Sequence, residues 1–400
     1  MATVTRRQWT TKEGDVREGW VLRYSDRQHE RHQLQFPTKA EAERERRRVE
    51  RELDDGTHTP AKKSVTLKVA CDMWLDYVEN VRPKKIEECT LVSYRQHLAV
   101  IKGHEIVALK LSDLSTPDVS KFSEFLTRDE RVSASTARKT MFVLNSVLNR
   151  ARRNGYVAQN VASGVKIDGD SKRHEEPVRA GVDFPTMVEA GQIINSAKGD
   201  RARSFLMVAA FCGLRAGEMR GLTWGKVNLH AHTIDVAQRA DNMKGLNIGA
   251  PKSRDSRRTV PMPPPVAHAL RYLKTVSLFT NDSDYLWPNE ERGVAKLSAL
   301  VTEIFNPAHV AAGIPLVDYQ PKYRPHAWRH FFASLCAARP SEGGFGLTME
   351  ETRVRMGHSS IVMTQRYKHL FCNSASNAKI EAEAAAGVLQ HKMPVLQHAR

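Results

Sequence analysis

The chain has 400 residues, with 61 Lys and Arg against 45 Asp and Glu, a formal net charge of +16. That length exceeds what one core usually holds, so two or three domains are expected. The positive excess has no acidic counterweight anywhere along the chain, and a long polyanion is the simplest partner for it. A basic soluble protein with no nucleic-acid role would carry the same balance. No apolar run approaches the length of a membrane span, and Met1 to Gly19 lacks the apolar core of a signal peptide. Five cysteines (Cys71, Cys89, Cys212, Cys336, Cys372) are scattered, odd in number and without a CxxC pair. That fits a reducing cytoplasm and argues against a disulfide framework or a thiolate zinc site.

The first block covers residues 1–60. Gly19 to Tyr24 and Arg31 to Phe36 alternate with strand period, with a turn at Ser25-Asp26-Arg27 between them. Thr38 then caps a highly charged helix, Lys39 to Leu53. Its charged face is either solvated or turned to DNA. The second block, 64–168, is predicted all helix. Thr66 caps a stretch with Leu67, Ala70, Trp74 and Val78 on one face, and Thr90 opens another with Leu91, Tyr94, Leu98 and Ile101. Thr116-Pro117 reads as a cap followed by proline at the first helical position. Ser135 precedes a helix in which Met141, Leu144, Leu148 and Ala151 recur, ending at Gly155. The basic residues Arg95, Arg138, Lys139, Arg150, Arg152 and Arg153 lie on outer faces. Each alone is more simply a solvated charge than a phosphate contact.

A polar linker, Asp168 to Pro177, leads to the third block, 178–385, which mixes helices with a small antiparallel sheet. Phe205 to Cys212 reads as a buried helix broken at Gly213. Thr233 to Val236 and Arg258 to Pro261 read as strands. Residues 386–400 form a C-terminal tail. The fold class expected is therefore multidomain: a small N-terminal β-sheet plus helix, an all-α domain, and a mixed, mainly-α domain with a small antiparallel sheet.

Five short signals fall in the third block. Gly213-Leu214-Arg215-Ala216-Gly217-Glu218 places an Arg at a helix break, with an acid three residues on. Pro251 to Arg258 is a basic polar turn containing Lys252. Arg324-Pro325-His326-Ala327-Trp328-Arg329-His330, Met356-Gly357-His358 and Thr364-Gln365-Arg366-Tyr367 complete the set. Singly each is weak. His326 and His330 also have metal-ligand spacing, but Ala327 stands where a zinc protease places its Glu, and no third ligand is evident. His330 is read as a helix-face residue near the site.

Together and in this order the signals resemble the tyrosine recombinase, or phage integrase, family. The resemblance implies a catalytic set of Arg215, Glu218, Lys252, His326, Arg329, His358 and Tyr367, with Tyr367 as nucleophile. It extends to the first two blocks only as architecture: 1–60 looks like an arm-type DNA-binding domain, and 64–168 like a core-type DNA-binding domain ahead of a catalytic domain at 178–385. The partners implied are double-stranded DNA carrying attachment sites and a homotetramer on that DNA, with a host DNA-bending factor and an excisionase as accessory proteins, and no membrane. The localisation implied is the cytoplasm of a bacterial host. No cofactor and no metal are expected. A helix at Ala378 to Leu389 is expected to dock on a neighbouring protomer.

The residue types suit the chemistry. Two guanidiniums, Arg215 and Arg329, can grip the non-bridging oxygens of a phosphodiester and count for more as negative charge builds. A phenol is a poor nucleophile while protonated and needs an acceptor or a positive field. Lys252 on a hairpin tip can protonate the leaving 5′ oxygen. Which histidine accepts the Tyr367 proton, His326 or His358, stays open. Two readings compete: a type IB topoisomerase-like strand transferase, and a non-catalytic DNA-binding protein, to which Tyr367 and Lys252 would be of no use.

Overall fold

The computed structural model describes residues 2–10, 16–26, 29–56, 58–59, 64–128, 132–167, 177–241, 248–251 and 254–371. Lys252, most of the expected linker, Cys372 and the expected helix at 378–389 lie outside them. The chain divides into two compact units, Met1–Asp170 and Ser171–Arg400.

The first unit opens with an antiparallel meander of β1 (Thr3–Thr10), β2 (Val16–Ser25) and β3 (Arg31–Phe36). The first strand was not expected from its sequence pattern. Leu22 pairs with Leu34 and Trp20 with Phe36 across β2 and β3. Helix α1 (Lys39–Asp55), capped by Thr38, closes a small core of Leu22, Tyr24 and Val49. Part of its charge is paired within the helix. Arg46 pairs with Glu43 and Glu50, and Arg48 with Glu45, at the three- and four-residue spacings that stabilise a solvated helix.

A second, separate core in this unit lies among four helices: α2 (Leu67–Asp76), α3 (Glu88–Lys102), α4 (Thr116–Arg128) and α5 (Ala134–Arg153). Thr66 caps α2 as expected. Three expected starts are displaced. Helix α3 begins at Glu88, which puts Thr90 inside its first turn. At α4 the Asp118 carboxylate accepts from both the N–H and the hydroxyl of Ser115, so Thr116 is the first helical residue and not the cap. Ser133, not Ser135, caps α5, its hydroxyl accepting from the Thr136 N–H. Two of the outer arginines are engaged within the protein. Arg95 pairs with Glu79 and Glu88, and the Arg150 guanidinium stacks 3.7 Å from the Tyr77 ring.

The second unit has one large core. It begins with α6 (Met187–Ser196), α7 (Asp200–Cys212) and the short α8 (Ala216–Arg220). A three-stranded antiparallel sheet follows, β4 (Val227–Asn228), β5 (Thr233–Val236) and β8 (Arg258–Pro261), with β6 (Arg239–Ala240) paired to β7 (Ile248–Gly249). Ile234 faces Val260 in the register of β5 and β8, and both are fully buried. That register fixes Arg258 opposite Val236 at the start of β8. Helices α9 (Pro264–Val276), α10 (Leu297–Leu300) and α11 (Asn306–Ala311) lead to α12 (Pro325–Ala337), then α13 (Met349–Met356), α14 (Ile361–Gln365) and α15 (Lys368–Phe371).

Helix α12 is the axis of this unit. Trp328, Phe331 and Phe332 bury themselves beside Phe305 and Phe345. The glycine-rich stretch after it returns on the helix end, with Phe345 and Leu347 N–H groups donating to the Leu335 and Cys336 carbonyls. Thr348 and Glu351 then start α13 with a reciprocal capping box. Cys71, Cys212 and Cys336 are buried, and burial pushes their thiols up to about 12. Among the described residues no helix is long and apolar enough to cross a membrane.

Candidate active site

The site forms where two glycine turns meet the N-terminal half of α12. Gly213 ends α7 at φ 62°, and a Cβ there would stand 2.1 Å from the Phe332 ring. Only glycine allows both the left-handed backbone and that approach. Its carbonyl accepts from Arg329 Nη1. Gly357 ends α13 at φ 63°, with Arg258 Nη1 2.9 Å from where its Cβ would be. The carbonyl of Met356, just before it, accepts from Arg329 Nη2, and the Gly357 carbonyl accepts from Arg215 Nη2 at 2.9 Å. Both guanidiniums are thus tied to chain turns. Each guanidinium has five N–H donors, so donors remain beyond these bonds.

Glu218 joins the arrangement through Arg215 and Arg258. Its carboxylate accepts from the Arg215 backbone N–H at 2.9 Å and from Arg215 Nη1 at 2.8 Å, as the three-residue spacing implied. Arg258 meets the same carboxylate at 3.1 and 3.3 Å. Burial pushes the Glu218 carboxyl up, but the Arg258 charge and hydrogen bonds, the Arg329 charge and the Arg215 amide outweigh it, so the acid sits below its ordinary range. Ser256 adds its hydroxyl to Arg215 Nη1 at 3.3 Å. Among the described residues Arg329 is buried with backbone carbonyls, not a carboxylate, as its hydrogen-bond partners. Burial first, then the nearby Arg215, lower its guanidinium to about 9. An anion beside it would reverse that loss.

The histidines differ from one another. His358 is buried, and its Nδ1 pairs with Thr364 Oγ1 at 2.9 Å. Burial, then the charges of Arg329, Arg215 and Arg258, lower it to about 3. His326 is exposed on the first turn of α12. Its imidazolium is disfavoured by desolvation from the surrounding protein and then by Arg329, Arg366 and Arg215. His330, one turn on, stands edge-on to His326 with ring centroids 4.7 Å apart. Its Nδ1 lies 2.7 Å from Tyr367 Oη, and burial lowers it to about 3. Tyr367 itself is 3 % exposed, and burial pushes its phenol up to about 12.

The structure therefore brings Arg215, Glu218, Arg329 and His358 into one electrostatic cluster, with His326, His330 and Tyr367 along α12. Lys252 lies outside the described residues. The sequence reading missed Arg258 and Ser256 as supports of the cluster, and it gave His330 a place near the site without a hydrogen-bond partner. Periodicity did carry a signal for His330. It falls one helical turn after His326, which places it on the same face of α12, near the site as the sequence reading has it.

Among known proteins, the model of the phage integrase family matches residues 185–373, and that of the phage integrase SAM-like domain matches residues 71–167. The chain is 25% identical over 364 residues to a tyrosine recombinase XerC-like protein of Caldanaerobacter subterraneus subsp. tengcongensis, covering 85% of this chain and 88% of the relative. It is 26% identical to an integrase of Streptomyces ambofaciens, covering 82% of each. In fold it is similar to the Tn1549 transposon integrase in complex with a circular intermediate DNA, with TM-score 0.62, 17% identity, and coverage of 80% of this chain and 100% of that one. It is also similar to a lambda integrase dimer bound to a core site, with TM-score 0.55, 17% identity, and coverage of 90% and 93%.

Proposed function

Because the chain belongs to the phage integrase family of tyrosine recombinases, DNA breaking-rejoining enzymes, we propose that it is a site-specific integrase of a phage or other mobile element. It cleaves and rejoins double-stranded DNA at attachment sites through a 3′-phosphotyrosyl link to Tyr367. The observation that carries this reading is the convergence on one place of a buried phenol, two guanidiniums and the Glu218 carboxylate that neutralises part of their charge.

The mechanism follows from the residues. The scissile phosphate supplies Arg329 with an anionic partner, where its hydrogen bonds among the described residues go to backbone carbonyls. Arg215 and Arg329 bind its non-bridging oxygens, and their carbonyl partners at Gly357, Gly213 and Met356 hold them in place before the substrate arrives. Tyr367 Oη bonds to phosphorus as the bond to the 5′ oxygen breaks. That oxygen takes a proton, for which Lys252 is the proposed donor. A 5′-hydroxyl from the partner strand later attacks the phosphotyrosine and releases Tyr367. The bond energy is conserved in the link, so exchange needs no nucleotide.

Residues 1–60 and 64–168 are proposed as arm-type and core-type DNA-binding domains, and 178–385 as the catalytic domain. Four copies acting on two duplexes fit this chemistry, and a lambda integrase tetramer bound to a Holliday junction shares the fold at TM-score 0.53. Tyr367→Phe tests the reading directly. On a nicked attachment site the variant should bind like the wild type and give no covalent adduct on a denaturing gel. An adduct in the variant would place the nucleophile elsewhere.

A further inference from the structure

The reaction needs an acceptor for the Tyr367 proton, and the family pattern supplied two histidines for that task. Among the described residues neither is hydrogen-bonded to the phenol. His358 Nδ1 is occupied by Thr364 Oγ1, and His326 is exposed on the first turn of α12. The phenol's hydrogen-bond partner among the described residues is His330, with Nδ1 2.7 Å from Oη. That distance is within the range for direct proton transfer.

We infer that His330 is the base that takes the Tyr367 proton at cleavage and returns it at rejoining. This rests on the proposed function above. The protonation states agree with the geometry. The phenol sits at about 12 and the imidazole at about 3, so at neutral pH the phenol donates and Nδ1 accepts, which leaves the ring proton on Nε2. At cleavage the Oη–H bond breaks and its proton passes to Nδ1. The Oη–phosphorus bond forms, and the phosphorus–O5′ bond breaks with its electron pair on the 5′ oxygen, which the general acid protonates. At rejoining the incoming 5′-hydroxyl displaces Oη, and the imidazolium gives its proton back.

The surroundings make this base dependent on DNA. Besides burial, His326 and Arg329 on its own helix and Arg366 beside the tyrosine disfavour the imidazolium. Asp183, in the segment before α6, favours it. The Arg366 Nε is buried with no hydrogen-bond partner among the described residues. A phosphate arriving among these cations adds negative charge and raises the basicity of His330 at the moment the proton must move. Without DNA the phenol stays protonated, and the nucleophile is silent.

The test is single-turnover cleavage of a nicked attachment site by the full chain. His330→Asn keeps an acceptor near the Nδ1 position but cannot hold the proton. His330→Ala leaves a space the size of an imidazole. Both should bind DNA like the wild type. His330→Asn should cleave roughly 100- to 10,000-fold more slowly, the range of general-base catalysis. Added imidazole should restore His330→Ala, with a rate that rises with the fraction of neutral imidazole. A 5′-bridging sulfur substrate should restore neither, because it removes the need for an acid and not for a base. Wild-type cleavage by His330→Asn, or a DNA-bound His330→Ala that imidazole does not restore, would overturn the assignment. Should His330→Ala fail to fold, the His330→Asn rate decides. Tyr367→Phe run alongside separates the two readings. An adduct with Tyr367→Phe defeats the proposed function, whereas an inert Tyr367→Phe beside a fully active His330→Asn defeats only the role of His330.

Discussion

Arg258 and Glu218 meet in the interior through two N–H···O contacts of 3.1 and 3.3 Å, with side chains only 5% and 2% exposed. They lie 40 residues apart in the sequence. The pair fixes β8 against α8, and through the second contact of Glu218 it fixes Arg215. A buried ion pair of this kind adds little net stability over an apolar substitute, but breaking one half leaves an uncompensated charge.

Glu218→Leu should therefore destabilise the second unit by about 3–5 kcal/mol, the cost of stranding a buried charge. Thermal unfolding would measure it. Glu218 also sets a pH dependence. Its folded carboxyl lies below the ordinary value of 4.5. The stability it contributes is thus fully present above that value and is lost as pH falls through the lower, folded one. Acid titration of wild type and Glu218→Gln should show the wild type losing stability more steeply below about pH 4.5. Parallel acid limbs would mean that the pairing contributes nothing.

Gly357→Ala should damage catalysis more than DNA binding. An alanine there meets Arg258 Nη1 at 2.9 Å and the Asp255 carbonyl at 3.1 Å, on a backbone at φ 63°. The strain is on the order of 1–3 kcal/mol. Relief moves the Gly357 carbonyl that holds Arg215 and the backbone that carries His358. The cleavage rate on a nicked site should fall while the affinity for that site stays close to that of the wild type. An unchanged cleavage rate would show that Arg215 does not depend on this turn.

Lys252→Ala should block cleavage of an ordinary phosphodiester and recover on a substrate with a 5′-bridging sulfur. A thiolate leaves without a proton, so only a general-acid role predicts the recovery. If DNA is bound and sulfur gives no recovery, Lys252 is a phosphate ligand or a structural residue.

Much of the site was legible in the linear order of its motifs. Arg215 and Glu218 are three residues apart, and a helix resuming after Gly213 puts them together by local geometry alone. The strands at Thr233–Val236 and Arg258–Pro261 were equally legible, because a period of two announces a half-buried strand. Helix starts were less so. Ser133 and Ser135, or Ser115 and Thr116, carry similar hydroxyls, and the choice between them is made by local hydrogen bonds, Ser133 to the Thr136 N–H and Asp118 to Ser115, that the residue types alone do not fix.

The sequence by itself determined which residue types the chain has for phosphoryl transfer and the order in which it carries them. Only the tertiary structure decided what each one touches. Arg329 reaches a carbonyl 116 residues away at Gly213, and Arg215 one 142 residues away at Gly357. His330 finds Tyr367 37 residues further on. Such contacts have no period and no fixed spacing. They exist because packing Phe332 against Gly213 and α13 beside α12 brings distant turns within hydrogen-bond reach, and burial then favours pairing of the polar groups that meet there.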